Sequence, residues 1–198
     1  QADAADATET TTTTGEEAGA TTDAGDGPPT VAEPGAATTI AGVRVTPPAA
    51  WEDLGPSGMR KAQYEHPPVG EDTAPAEVNV FYFGPQSGGG VEANLQRWIG
   101  QMAVPDGDPG AAAERSTFTA DGMAGHVVAL DGTYQAGGMG GGDASPRPGY
   151  RLVGVVLEGP QGSVFFKLTG PQQTARVMEE GLMAMVEEYG LARRDIAI

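Results

Sequence analysis

Apolar residues enter this chain abruptly at about residue 39, and from there their spacing lays out a series of elements. Val43-Arg-Val-Thr46 alternates as a short strand does and stops at Pro47-Pro48, with Trp51 beyond it as a core anchor. Met59 to Glu65 reads as a second strand, ended by His66-Pro67-Pro68. In Glu77-Val-Asn-Val-Phe-Tyr-Phe83, Val78, Val80 and Tyr82 fall on one face and Phe81 and Phe83 on the other. Apolar groups on both faces predict a strand covered on both sides, and so central in its sheet.

After Gly84 to Gly90 the period lengthens. Val91, Leu95, Trp98, Ile99 and Met102 form a stripe of helical spacing, which predicts a helix over 91–103. Pro105-Asp-Gly-Asp-Pro-Gly110 should end it in an acidic loop. Arg115 to Thr119 and Met123 to Leu130 then flank Asp121-Gly122, a strong hairpin pair, with Asp131-Gly132 marking a further turn or bulge before Thr133-Tyr134. Tyr150 to Glu158 and Ser163 to Thr169 flank Gly159-Pro-Gln-Gly162 as another hairpin. A last helix is predicted over 171–189, with Pro171 at its first position and Met178, Leu182, Met185, Val186 and Tyr189 as its apolar stripe. Gly190 is the expected left-handed terminator, followed by Leu191. The order is three strands, helix, four strands, helix. It predicts an α+β fold, a single antiparallel sheet of about six or seven strands with two main helices packed on it.

Composition changes the picture at the N-terminal end. Residues 1–38 hold eight Asp or Glu, ten Thr and no Lys, Arg or aromatic residue. Such a segment cannot bury enough apolar surface to offset the entropy of ordering, and its charge favours extension. The expected organisation is a disordered acidic Thr/Ala/Gly/Pro-rich leader over 1–38 and one globular domain over 39–198. The leader resembles in composition the spacer that follows the lipid-bearing cysteine of bacterial lipoproteins. A lipid anchor upstream of Gln1 and an extracytoplasmic, tethered location are therefore expected.

The formal charge of −16 comes from 27 acids against 11 bases, nine Arg and the two lysines Lys61 and Lys167. A chain this acidic repels nucleic-acid backbones and anionic lipid surfaces. No cysteine occurs, so disulfides, thiolate nucleophiles and Cys-based metal sites are excluded. No apolar run approaches the roughly 18–20 residues that span a bilayer.

The chemistry-bearing residues form no catalytic, metal-binding or cofactor-binding signature. Ser87-Gly-Gly-Gly90 precedes a helix, but no Lys-Ser/Thr follows to make a phosphate loop, and Ser87 reads as a residue near the cap. His66 and His126 each stand alone on their strands, without a ligand or base at metal-site or triad spacing. Asp106, Asp108, Asp121, Asp131 and Asp143 lie in or beside glycine-containing turns, where turn chemistry explains them without calcium. The segment Gly137, Gly138, Met139, Gly140, Gly141 and Gly142 is the candidate partner loop, with Met139 as an adaptable apolar contact.

The element order resembles the PsbP/Mog1-like α/β/α sandwich, and is similar to secreted bacterial proteins of that type. The residues that carry this are Val45-Thr-Pro-Pro-Ala-Ala-Trp51 at the start, Phe81-Tyr-Phe-Gly84, Asn94-Leu-Gln-Arg-Trp98, and Val164-Phe-Phe-Lys-Leu-Thr-Gly-Pro171 running into the last helix. The resemblance covers residues 40–191 and implies an accessory or binding role. The functional expectation is a non-enzymatic extracytoplasmic domain that binds a protein partner. The rival expectations are a small-ligand binder or enzyme with a cleft near the loops at 84–90 and 136–149, and a structural envelope protein.

Overall fold

A short hairpin comes first among the elements. The computed structural model describes residues 34–105, 107–135 and 145–187. In it β1 (Thr38–Ile40) pairs antiparallel with β2 (Val43–Val45) through a turn at Ala41 and Gly42, both at positive φ. Ile40, Val43 and Val45 are buried while Thr38, Thr39 and Arg44 face out, so the hairpin lays one face on the core. Thereafter come β3 (Glu52–Asp53), β4 (Arg60–His66), β5 (Ala76–Phe81) and α1 (Val91–Ile99). Next are β6 (Met102–Ala103), α2 (Pro109–Ala112), β7 (Glu114–Ala120) and β8 (Met123–Tyr134). The final three are β9 (Arg147–Gly159), β10 (Gly162–Pro171) and α3 (Gln172–Glu187).

Apart from the β1–β2 hairpin, the strands build an eight-stranded sheet in the order β3-β4-β5-β10-β9-β8. Both β7 and β6 pair with the outer side of β8, β7 along Met123 to Ala129 and β6 at Thr133 and Tyr134. Every pairing is antiparallel.

This corrects the expected single sheet with two packed helices: among the described residues there are two sheets, of two and eight strands, and three helices. The misses have local causes. Thr38–Ile40 carries one apolar residue in three positions, too little for period two to show. The four-residue α2 hides in Pro109-Gly-Ala-Ala, where Asp108 caps it by accepting from the Gly110 N–H at 2.9 Å. The first helix stops at Ile99, and Met102, though in phase with the apolar stripe, belongs to β6 opposite Tyr134. Pro171 ends β10 opposite Tyr150 rather than starting the last helix. Tyr189, Gly190 and Leu191 lie outside the described residues.

Strand alternation divides the core. Val153, Val155, Leu157, Val164, Phe166 and Leu168 face α3 and the β1–β2 hairpin, where Met178, Leu182 and Val186 cover them. Leu152, Val156 and Phe165 face the other way, toward Leu95, Trp98 and Ile99 of α1. Two long-range polar contacts seat α3. The Asp72 carboxylate accepts from the Thr174 N–H at 2.7 Å and from its hydroxyl at 2.8 Å, capping the helix from the β4–β5 loop. Arg151, 4% exposed, forms a bidentate pair with Glu179 at 2.6 and 2.9 Å and reaches Asp131 at 3.0 Å.

Candidate functional site

On its face of the sheet, α1 packs over β8 and β9, leaving β10 and β5 at its flank. The period-two rule sends Phe165 and Lys167 of β10 to that face, along with Asn79 and Phe81 of β5. Register sets them side by side: Phe165 is the Cα partner of Phe81, and Lys167 is the partner of Asn79 on one side and Gly154 on the other. The loop after β5 returns over them. Gly88, at φ +92°, passes so close that a Cβ there would lie 2.8 Å from the rings of Phe83 and Phe165. Asn94, buried in α1, ties this loop down by donating to the carbonyls of Gly88 and Gly90, each at 2.9 Å. The helix then brings Arg97, Trp98 and the adjoining Gln101 to the rim of a cavity of about 160 Å³, whose floor is Phe165 and Lys167.

Lys167 is the chemical centre of this cavity. Its ammonium donates to Gln101 Oε1 at 2.6 Å and to the Tyr134 hydroxyl at 2.8 Å. Those acceptors are positioned by backbone: the Gln135 N–H donates to the Gln101 carbonyl at 2.7 Å, and Tyr134 pairs with Met102. Burial pushes the Lys167 pKa down to about 8; the charge of Glu77 pulls it back up, and that of Arg60 lowers it further. Burial, with the charge of Glu77, holds the Tyr134 phenol above its usual value, so it stays protonated. Neither Lys167 nor Arg97 has a carboxylate at ion-pair distance among the described residues. Asn79 is 5% exposed and its Oδ1 lacks a hydrogen-bond donor. An ammonium has three protons and two are used, so one donor and one guanidinium are available beside aromatic walls.

A second, more open groove of about 440 Å³ runs between α1 and β7, lined by Glu92, Arg115, Ser116 and His126. Its cation is already engaged. Arg115 contacts both Glu92 oxygens, at 3.1 and 2.9 Å, and those hydrogen bonds, joined by one from Gln96, hold the Glu92 carboxyl below its usual range. His126 sits 3.6 Å from Glu158.

The other residues singled out in the sequence scatter. His66 Nδ1 contacts the Pro67 carbonyl at 2.8 Å, far in sequence from the cavity's lining residues. Ser87 does not cap α1, whose N-cap is Gly90 without a side-chain bond. Asp121 and Gly122 form the β7–β8 turn, both at positive φ. Asp131 joins Arg151 and Arg176 in an ion-pair network. Asp106, Asp143 and the candidate partner loop of Gly137, Gly138, Met139, Gly140, Gly141 and Gly142 lie outside the described residues. Trp98 and Phe165 are buried as expected, whereas Tyr82 is half-buried and donates its hydroxyl to the Gln161 carbonyl. Among the described residues no cluster of three His, Asp or Glu side chains is placed to hold a metal, and no helix is long and apolar enough to cross a membrane. Sequence reasoning passed over Lys167, Arg97 and Asn79. The available signal was a lysine inside the apolar run Val164-Phe-Phe-Lys-Leu168.

No protein-family model and no curated protein matches the chain. One solved structure similar to it is that of PA94, a protein of unknown function from Pseudomonas aeruginosa. The two share 13% identity with a TM-score of 0.42, over 82% of this chain and 96% of that one, a likeness too distant to carry a functional argument.

Proposed function

We propose that this chain is a non-enzymatic accessory domain, tethered outside the cytoplasm by its acidic N-terminal segment, that recognises its ligand or partner through an anionic group docked at Lys167 and Arg97. One observation carries the reading. In a chain with 27 acids and 11 bases, two cations meet at one cavity with no carboxylate at ion-pair distance among the described residues. A mostly buried cation with no carboxylate in ion-pair contact is costly, and an incoming anion relieves that cost. The groups around it suit holding rather than reacting, since Gln101 and Tyr134 are neutral hydrogen-bond partners.

The test is a heteronuclear NMR titration of the intact chain with sodium acetate. Saturable shifts clustered on Arg97, Trp98, Gln101 and Lys167 are expected. Shifts scattered over the surface, or centred on the Arg115 groove, sink the reading. The extracytoplasmic tether rests on the composition of residues 1–38, and fractionation of the native cells tests it separately; recovery in the cytoplasmic fraction overturns it.

A further inference from the structure

We propose that the ligand is a small aromatic carboxylate of the benzoate class, its ring held among Phe81, Phe83 and Trp98 and its carboxylate on Lys167 and Arg97. This rests on the anion-docking reading above and goes beyond it by naming the body that accompanies the charge.

Volume is the first argument. The cavity measures about 160 Å³. An apolar protein cavity of about 150 Å³ accommodates a single benzene ring. A fused two-ring ligand or a long acyl chain would extend past the rim into solvent.

The walls are the second. Phe81 and Phe83 lie nearly parallel, 10° apart with centroids at 6.1 Å, and Phe83 tilts against Phe165 at 5.7 Å. Phe83 remains 40% exposed, so an aromatic face at the cavity stands open to solvent. Aromatic rings favour offset or edge-to-face neighbours at such distances, and a ligand ring extends the cluster. Phosphate or sulfate is a poor match, because a strongly hydrated tetrahedral anion gains nothing from rings and loses its water.

The polar groups are the third. The free proton of Lys167 and the planar guanidinium of Arg97 suit a carboxylate, which accepts from two donors at once.

Isothermal titration of the full chain at pH 7 and low salt, with benzoate, acetate and inorganic phosphate, tests the proposal. Benzoate should bind one to one, about tenfold or more tighter than acetate or phosphate, with Lys167→Met weakening it about tenfold or more. Arg97→Ala and Phe83→Ala alter exposed side chains and do not threaten folding. The first should weaken benzoate and acetate alike, the second benzoate alone. If acetate or phosphate binds as tightly as benzoate and Lys167→Met weakens all three, the aromatic assignment is overturned while the anion site stands. If none of the three binds, or if binding is indifferent to both cation substitutions, both readings fall.

Discussion

Trp98 occupies the space that a side chain at position 154 would need: a Cβ on Gly154 would lie 2.1 Å from the indole Cε3. Because Gly154 is the Cα partner of Lys167, this bare stretch of β9 lets α1 sink onto the sheet and form the wall beside the lysine. Gly154→Ala must push the helix outward and should destabilise the fold by about 1–3 kcal/mol through overpacking. Trp98→Ala should cost about 3–5 kcal/mol by opening a cavity. Denaturant unfolding of the double variant checks the contact, since the two effects should be clearly less than additive. Strict additivity would mean that the helix does not rest on Gly154.

Lys167 makes stability depend on alkaline pH. Its pKa in the fold is about 8, below the ordinary value of 10.5. Below pH 8 the folded and unfolded chains both carry the proton, and the fold bears the cost of burying it. Between pH 8 and 10.5 the unfolded state binds more protons, so stability should rise with pH, by an amount on the order of 3 kcal/mol over the full window. Tyr64 and Tyr134 act in the opposite sense at higher pH, because burial raises both. The comparison therefore belongs between pH 7 and 9.5, as the difference between the native chain and Lys167→Met. A flat difference curve would show that the ammonium is well solvated.

Arg151 and Arg176 share Asp131 but should differ sharply in worth. Arg151 has a side chain 5% exposed, whereas that of Arg176 is 55% exposed. Arg151→Ala leaves the Glu179 carboxylate of α3 without its cation, while Asp131 keeps Arg176, and should cost about 3 kcal/mol. Arg176→Ala should cost about 0–1 kcal/mol. Equal losses in chemical denaturation would contradict this burial argument.

Asp72 should matter to α3 although it lies 102 residues before Thr174. Asp72→Ala removes the acceptor of both the Thr174 N–H and its hydroxyl, and should cost about 1–2 kcal/mol. Hydrogen exchange should report faster opening at the start of α3 and little change in β8. Uniform acceleration across the sheet would indicate a different role for the loop.

Truncation at two points should separate the acidic segment from the hairpin. Removing residues 1–33 is expected to leave the melting temperature nearly unchanged, given the composition of that segment. Removing residues 1–40 takes away Ile40, which is 7% exposed, and uncovers Val43 and Val45, so the melting temperature should drop by several degrees. A large drop with the shorter deletion would mean that the segment contributes to the folded domain.

The alternation of Val78 and Val80 against Phe81, and of Val164, Phe166 and Leu168 against Phe165, was legible from the amino acids alone. Side-chain direction in a strand is set by neighbouring backbone geometry, so a period of two predicts covered faces without knowledge of what covers them. The same holds for the helical stripe of Val91, Leu95, Trp98 and Ile99, and for the Asp121-Gly122 turn, whose positive φ values are a local demand. Period did not reveal β1, β6 or α2, whose two to four residues carry too few apolar side chains to show one. Nor could it reveal the pocket. Gln101 lies 66 residues and Tyr134 33 residues from Lys167, and Asn79 reaches it only through the β5–β10 register. Which charged groups face one another, and which cation is left without a counter-ion, depends on the order in which the strands assemble. That order is decided by the collective burial of both faces of the sheet, a quantity no short window of sequence contains.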